Sequence, residues 1–261
     1  MGFFSRRQRG QGVTHAQVQI SEKRGVRFLH LGGPAVQSAM RIRDPWALEL
    51  EYTRAMMAFL LFKPAPRKVT LIGLGGGSLA KFIHRHLPDT RLMALEVNPQ
   101  VVEAARSFFL LPPDDNRLCV QVGDGAAYVH AHPDSQDVLL VDGYDAKRIV
   151  EDLASASFYL ACQAMLRPGG VAVFNLWGSD KSFPVYFERL ASVFGDRLLR
   201  LPSERKGNII VFAFQPPLPD VSLAVLTRQA QQLSTSLGLE MEDFLFRLRN
   251  WNPVSNGASL I

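Results

Sequence analysis

At 261 residues, with 47% apolar and 20% charged side chains, the chain has the balance of a globular protein large enough to bury a real core. Lysine and arginine outnumber aspartate and glutamate by 29 to 24, a formal net charge of +5, and no apolar run approaches the roughly 20 residues that cross a bilayer. These numbers exclude a helical membrane span. With no RNP-like aromatic motif, zinc finger or long basic block, they also argue against nucleic-acid binding.

Residues 1–12 carry Arg6, Arg7 and Arg9 with no apolar stretch behind them, which reads as a disordered basic tail rather than a secretory signal. Cys119 and Cys162 lie inside apolar patterns, without a CxxC pair or neighbouring histidines. They are expected to be two buried thiols of a cytoplasmic protein, with neither a disulfide nor a metal site. Three short alternating runs, Ala16 to Ile20, Val26 to Leu31 and Val36 to Ile42, predict a small β-module. They are separated by Glu22-Lys23-Arg24-Gly25 and Gly32-Gly33-Pro34, both turn sequences. Trp46 to Phe62 has helical spacing, with Asp44-Pro45 as its start signal. The module and this helix make up a first unit, 13–62.

From Lys68 the pattern alternates strand and helix. Strands are predicted at Val69 to Ile72, Arg91 to Glu96, Leu118 to Val122, Gln136 to Val141 and Val171 to Asn175. Helices fall between them, at Leu79 to His86, Gln100 to Phe109, after Asp124, and from Ser155 to Leu166, the last stopped by Pro168-Gly169-Gly170. Such alternation predicts a parallel sheet with right-handed crossovers, and the continuous apolar strands predict helices on both faces. A helix at Phe183 to Phe194 and a hairpin, Arg197 to Leu201 with Asn208 to Phe214, close the sheet. The unit 63–215 is therefore an α/β Rossmann domain. The proline-rich stretch Gln215 to Pro219 leads into a helical extension, 216–261, with helices near Val221 to Leu237 and Glu240 to Arg249.

The candidate site follows from the strand ends. Ligands of open α/β sheets bind at the carboxyl ends of strands, where strand order reverses. Four consecutive ends carry Gly73 to Ser78, Glu96, Asp124 and Asp142. The glycines permit a tight turn and close approach of a ligand to the backbone. A carboxylate at Glu96, about twenty residues on, suits the two hydroxyls of a ribose. Asp124 can meet an adenine amino group, cap the following helix, or do both. Tyr144 and Trp177 lie near strand ends and either line an acceptor pocket or pack in the core.

On these residues the chain resembles the spermidine synthase (polyamine aminopropyltransferase) family from about Val18 to Phe214. The resemblance is carried by Leu31-Gly32-Gly33-Pro34-Ala35-Val36-Gln37, the Gly73 to Ser78 run, Leu95 to Pro99, Gly123-Asp124-Gly125, Val141 to Asp145, and Leu166 to Gly170. It implies a methyltransferase-like Rossmann domain behind a small β-domain, a homodimer or larger oligomer, and no metal. The implied ligand is decarboxylated S-adenosylmethionine or S-adenosylmethionine, leaving methylthioadenosine or S-adenosylhomocysteine. It implies that Gly73, Gly75, Gly76, Glu96, Asp124 and Gly125 bind the adenosyl group, that Gln37 sits near its tail, and that Asp142 and Asp145 are the two gate acids.

The chain departs from the family pattern at several points. Gly76 stands where the family has an aspartate that contacts the amino end of the donor. The gate reads Asp142-Gly143-Tyr144-Asp145-Ala146, without the family's proline, and Tyr52-Thr53-Arg54 replaces Tyr-His-Glu. Arg41, Arg43, Lys147 and Arg148 add positive charge where a polycation would have to bind. These substitutions predict a small-molecule acceptor that is neutral or anionic rather than a typical polyamine. Two alternatives stay open: a non-catalytic scaffold that holds an adenosyl ligand or only dimerises, and an NAD-dependent oxidoreductase, whose fingerprint Gly73, Gly75, Ser78 and Glu96 fit loosely.

Overall fold

The computed structural model describes residues 16–143, 151–203 and 207–252. The expected basic tail, Tyr144, Asp145, Lys147 and Arg148 lie outside these residues.

The N-terminal module is an antiparallel sheet of β1 (Val18–Lys23), β2 (Val26–Leu31) and β3 (Val36–Arg41), in that order. The β1–β2 turn takes positive φ at both Arg24 and Gly25, the twist a two-residue hairpin needs. Leu29 and Met40 of the module bury against Ala104 and Phe109 of the main domain.

The main sheet has seven strands: β4 (Lys68–Ile72), β5 (Arg91–Glu96), β6 (Leu118–Val122), β7 (Gln136–Val141), β8 (Leu166–Trp177), β9 (Leu198–Pro202) and β10 (Asn208–Phe214). Their order is β6-β5-β4-β7-β8-β10-β9, parallel except for β10, which runs antiparallel to both β8 and β9. The chain leaves β4 toward β5 and β6, then returns to build β7 and β8 on the other side. The switch point therefore lies between the ends of β4 and β7.

Successive strand residues feed two cores. Val69, Leu71, Val138, Leu140 and Val173 join one, while Ile72, Leu139, Val141, Ala172 and Phe174 join the other. This period of two with both faces apolar is the sequence signature of a doubly covered sheet. The first face is covered by α1 (Glu51–Met56), the 3₁₀ segment Met57–Leu61, α2 (Ser78–His86), α3 (Pro99–Phe108), α7 (Leu223–Leu237) and α8 (Met241–Trp251). The second is covered by α4 (Gly125–Ala131), α5 (Ala156–Met165) and α6 (Phe183–Phe194). Among the described residues no helix is long and apolar enough to cross a membrane.

Three expectations need correction. The helix predicted from Trp46 begins only at Glu51, because the carbonyls of Pro45, Leu48 and Glu49 are taken by side chains. Lys81 Nζ donates to Pro45 O at 2.7 Å, and Arg54 donates to Leu48 O at 3.1 Å and Glu49 O at 2.9 Å. Pro168-Gly169-Gly170 does not separate helix from strand. The strand already starts at Leu166, which pairs with Gln136, and Gly169 at φ +70° bends it in passing. Finally, only Cys162 is buried; Cys119 is exposed on β6, the edge strand.

Candidate active site

A cavity of about 1000 Å³ runs along the carboxyl edge of the sheet. It gathers Gln37, Gly73, Gly75, Glu96, Asp124, Gly125, Asp142 and Trp177, eight of the residues singled out from the sequence. Gly76 is the exception. It is buried, and a Cβ there would sit 2.8 Å from both Phe109 and the Ser38 hydroxyl, so it faces the wall rather than the cavity. A side chain at this position would require Phe109 or Ser38 to shift, which accords with glycine standing where the family has its aspartate.

The glycine loop leaves β4 with Gly73 at φ +88°, a conformation L side chains rarely adopt. A Cβ at Gly73 would also collide with the carbonyl of Asp142 across the switch point. Close approach of β4 and β7 therefore requires glycine here. Glu96 braces the same loop: its Oε2 accepts from Leu74 N at 3.0 Å and its Oε1 from Asn98 N at 3.0 Å. Each oxygen keeps a second acceptor position. Asp124 caps α4 through one oxygen, Oδ1, which accepts from Ala126 N at 2.8 Å and Ala127 N at 3.3 Å. Capping and ligand contact are compatible, because Oδ2 takes no part in the cap.

Asp142, at the end of β7, is the most perturbed group of the site. Its Oδ1 accepts from Asn175 Nδ2 at 2.8 Å and its Oδ2 from the Tyr52 hydroxyl at 3.0 Å. Asn208 Nδ2 in turn donates to Asn175 Oδ1 at 2.9 Å, so β7, β8, β10 and α1 are joined by one polar chain. Burial pushes the Asp142 carboxyl up to about 6; the bonds from Asn175 and Tyr52 oppose the rise and the charge of Glu96 adds to it. Such a carboxylate is anionic at neutral pH yet basic enough to take a proton, and its two hydrogen bonds fix where it points. After it, Gly143 stands at a gate position where Leu153 occupies the space a side chain would need.

Sequence reasoning left several lining residues out. Tyr52 entered only as part of a departure, and Asn175 was not nominated, although a polar residue inside the apolar run of β8 is a visible signal. Glu240, Asp243 and Arg247 reach the cavity from α8, far along the chain, and had no local signal. Arg54 pairs with Glu240 at 2.9 Å, and Arg247 lies 2.9 Å from Asp243 and 3.4 Å from Glu51. Among the described lining residues, eight carboxylates face two guanidiniums: Glu49, Glu51, Glu96, Asp124, Asp142, Asp152, Glu240 and Asp243 against Arg54 and Arg247. Arg41 and Arg43 are exposed and absent from that lining, and Arg41 pairs with Glu49. The expectation of a neutral or anionic acceptor therefore loses the two of its four cations that can be located. Among the described residues no three of His, Cys, Asp and Glu converge to hold a metal ion.

A polyamine aminopropyltransferase of Chromobacterium violaceum is 41% identical over 99% of this chain and 99% of its own length. The chain belongs to the polyamine aminopropyltransferase family. A polyamine aminopropyltransferase of Neisseria meningitidis is 42% identical over 92% of both chains. The Spermine/spermidine synthase domain matches residues 49–176, from the entrance of α1 to the end of β8. In fold, the chain superposes on a spermidine synthase crystallised with the transition-state analogue AdoDATO. The TM-score is 0.68 at 21% identity, covering 92% of this chain and 86% of that one. Membership of the aminopropyltransferase family agrees with the resemblance read from the strand-end motifs. It favours neither the dimerising scaffold nor the NAD-dependent oxidoreductase.

Proposed function

We propose that the protein transfers an aminopropyl group from decarboxylated S-adenosylmethionine to a polyamine, leaving methylthioadenosine. The observation that carries this reading is the charge of the cavity, eight carboxylates to two guanidiniums. Amines of this kind are cations at neutral pH and are drawn to such a lining. S-adenosylmethionine itself ends in a carboxylate as well as an ammonium. The two lining arginines that could receive that carboxylate are already held by Glu240 and by Asp243 with Glu51. The decarboxylated donor avoids this mismatch.

The residues divide the work by position. Gly73 and Gly75 let the backbone approach the donor, Glu96 accepts from the ribose hydroxyls, and Asp124 Oδ2 meets the adenine amino group. Gly125 completes the adenosyl end, and Gln37 sits near the donor's tail. When bound, the donor's sulfonium supplies a carbon open to displacement and a neutral leaving group. Asp142, aimed by Tyr52 and Asn175, holds the acceptor amine and takes its proton as the nitrogen attacks, with Asp145 as the second gate acid. Trp177, 41% exposed, and Tyr144 flank the acceptor.

The test is to incubate the purified full chain with decarboxylated S-adenosylmethionine and a di- or triamine, and to follow methylthioadenosine by chromatography. Product that requires both substrates, and none with S-adenosylmethionine, is expected. No methylthioadenosine with either amine overturns the reading.

A further inference from the structure

Strand order lays the cavity out along one direction. Glu96 and Asp124 sit over β5 and β6, Gly73 and Asp142 over the switch point, and Asn175 and Asn208 over β8 and β10. Because β10 runs antiparallel to β8, its first residue, Asn208, lies at the edge where the parallel strands end, opposite Trp177. Register then sets three polar side chains next to one another. Val141 pairs with Phe174, which puts Asp142 beside Asn175. Asn175 pairs with Ile210, two residues beyond Asn208 and so on the same face of β10. The hairpin that carries Asn208 is held from outside. Asn208 O accepts from Ser203 N at 2.7 Å, and α8 docks on β9, where Arg247 donates to Pro202 O at 2.8 Å and Asn252 exchanges two hydrogen bonds of 2.8 Å with the backbone of Arg200.

The chemistry of the three side chains leaves one consistent arrangement. An ionised carboxylate only accepts, so Asn175 has to turn its Nδ2 toward Asp142, as it does in the 2.8 Å bond to Oδ1. Asn175 is 3% exposed, and this orientation leaves its own Oδ1 buried and in need of a donor. Asn208 Nδ2 is that donor, at 2.9 Å. Without it, the Asn175 amide loses the bond that distinguishes its two ends. It can then turn its oxygen toward Asp142, where carbonyl and carboxylate repel and the protonated acid is favoured.

We propose that Asn208 is a positioning residue for the transfer, acting on Asp142 through Asn175: it holds the Asn175 amide in the one orientation that aims the carboxylate. The inference rests on the aminopropyl-transfer reading and adds to it a residue on the hairpin that closes the sheet. Its sign follows from the bond that is lost. Removing the donation to Asp142 Oδ1 disfavours the ionised carboxyl, so the form able to take a proton appears only at higher pH. Tyr52 on α1 and Glu96 on β5 also act on this carboxyl, and Glu51, Arg54, Asp152 and Arg247 line the same cavity. None of them is changed by substitution at Asn208.

The experiment measures kcat and KM from pH 5 to 9, with decarboxylated S-adenosylmethionine and butane-1,4-diamine, or its N-(3-aminopropyl) derivative where the wild type prefers it. The proteins are the wild type, Asn208→Leu, Asn208→Asp, Asn175→Leu and the double variant Asn175→Leu with Asn208→Leu. Leucine keeps the size of asparagine without a donor, and thermal unfolding confirms that each variant is folded. Asn208→Leu is expected to lower kcat about ten-fold at pH 7 with the donor KM unchanged. The acid limb of its pH–rate profile, near 6 in the wild type, moves to higher pH, so the deficit shrinks toward pH 9. Asn208→Asp, which keeps the shape and adds a charge, moves the limb at least as far and carries the same test if the leucine variant does not fold. In the Asn175→Leu background, substitution at Asn208 adds less than two-fold. A folded Asn208 variant whose acid limb stays where the wild type's is, or a loss of full size in the absence of Asn175, overturns this inference and leaves the transfer reading standing. A wild type that forms no methylthioadenosine with either amine overturns the transfer reading, and this inference with it.

Discussion

Asp142 is a buried carboxyl whose titration bears on stability and, on the proposed function, on transfer. Its carboxyl titrates near 6 in the folded protein against 3.8 in the open chain, so between those values the folded state holds more protons than the unfolded one. Stability contributed by this group is present below pH 3.8 and lost as the pH rises through 6. The cost at neutral pH is on the order of 3 kcal/mol. Asp142→Asn keeps the shape, can still accept from Asn175, and removes the buried charge. The variant is expected to melt above the wild type at pH 8, with the gap closing toward pH 4, and to lose roughly 100-fold or more in transfer rate. Thermal unfolding across pH, beside a pH–rate profile whose acid limb falls through about 6, checks both halves. Asp142, Glu96 and Asp124 were legible in the sequence because each follows an apolar strand directly. Tyr52 was not, since its contact with Asp142 spans ninety residues of chain. Gly76 was legible as a departure but not in its cause, because Phe109 and Ser38, which close the space around it, come from other elements.

At the level of elements, the strands were the readable part. Val26–Leu31, Arg91–Glu96, Leu118–Val122, Gln136–Val141 and Asn208–Phe214 begin and end where their apolar runs do. The start of α1 was not readable, because a tertiary clasp overrides the local pattern. Lys81 on α2 is 1% exposed, and its ammonium bonds Pro45 O at 2.7 Å, Phe109 O at 2.6 Å and Met40 Sδ at 3.2 Å. It thereby pins the segment after the β-module to the end of α3. Burial lowers its pKa from 10.5 to about 8, so the folded state releases this proton earlier than the unfolded chain does. Between pH 8 and 10.5 the wild type should therefore gain stability relative to Lys81→Met. Urea unfolding of the two proteins at pH 7.5 and 10 measures the difference; parallel pH dependences would show that the clasp carries no titrating charge. The reach of α8 to the cavity was equally hidden, since Glu240 meets Arg54 across 186 residues of sequence.

Taken whole, the molecule segregates its charge. The chain carries a formal +5, yet eight of its 24 acids line one cavity. On the proposed function, a basic exterior around an acidic cavity gives a cationic acceptor little long-range attraction and strong attraction once inside. Bulk salt screens such contacts within about 10 Å at 0.1 M. The acceptor KM should therefore rise several-fold between 50 and 500 mM salt while kcat changes little, which initial-rate measurements would show. An acceptor KM indifferent to salt would mean that the carboxylates do not hold the amine. The direction in which the cavity is laid out also has a meaning in time. During synthesis, the residues of the adenosine end, 73–125, emerge about a hundred residues before Glu240, on the order of ten seconds earlier at ordinary elongation rates. On the proposed function, until α8 leaves the ribosome and docks on β9 the nascent protein has its donor seat but an open groove where the acceptor binds. Selectivity for the acceptor would thus be acquired after affinity for the donor.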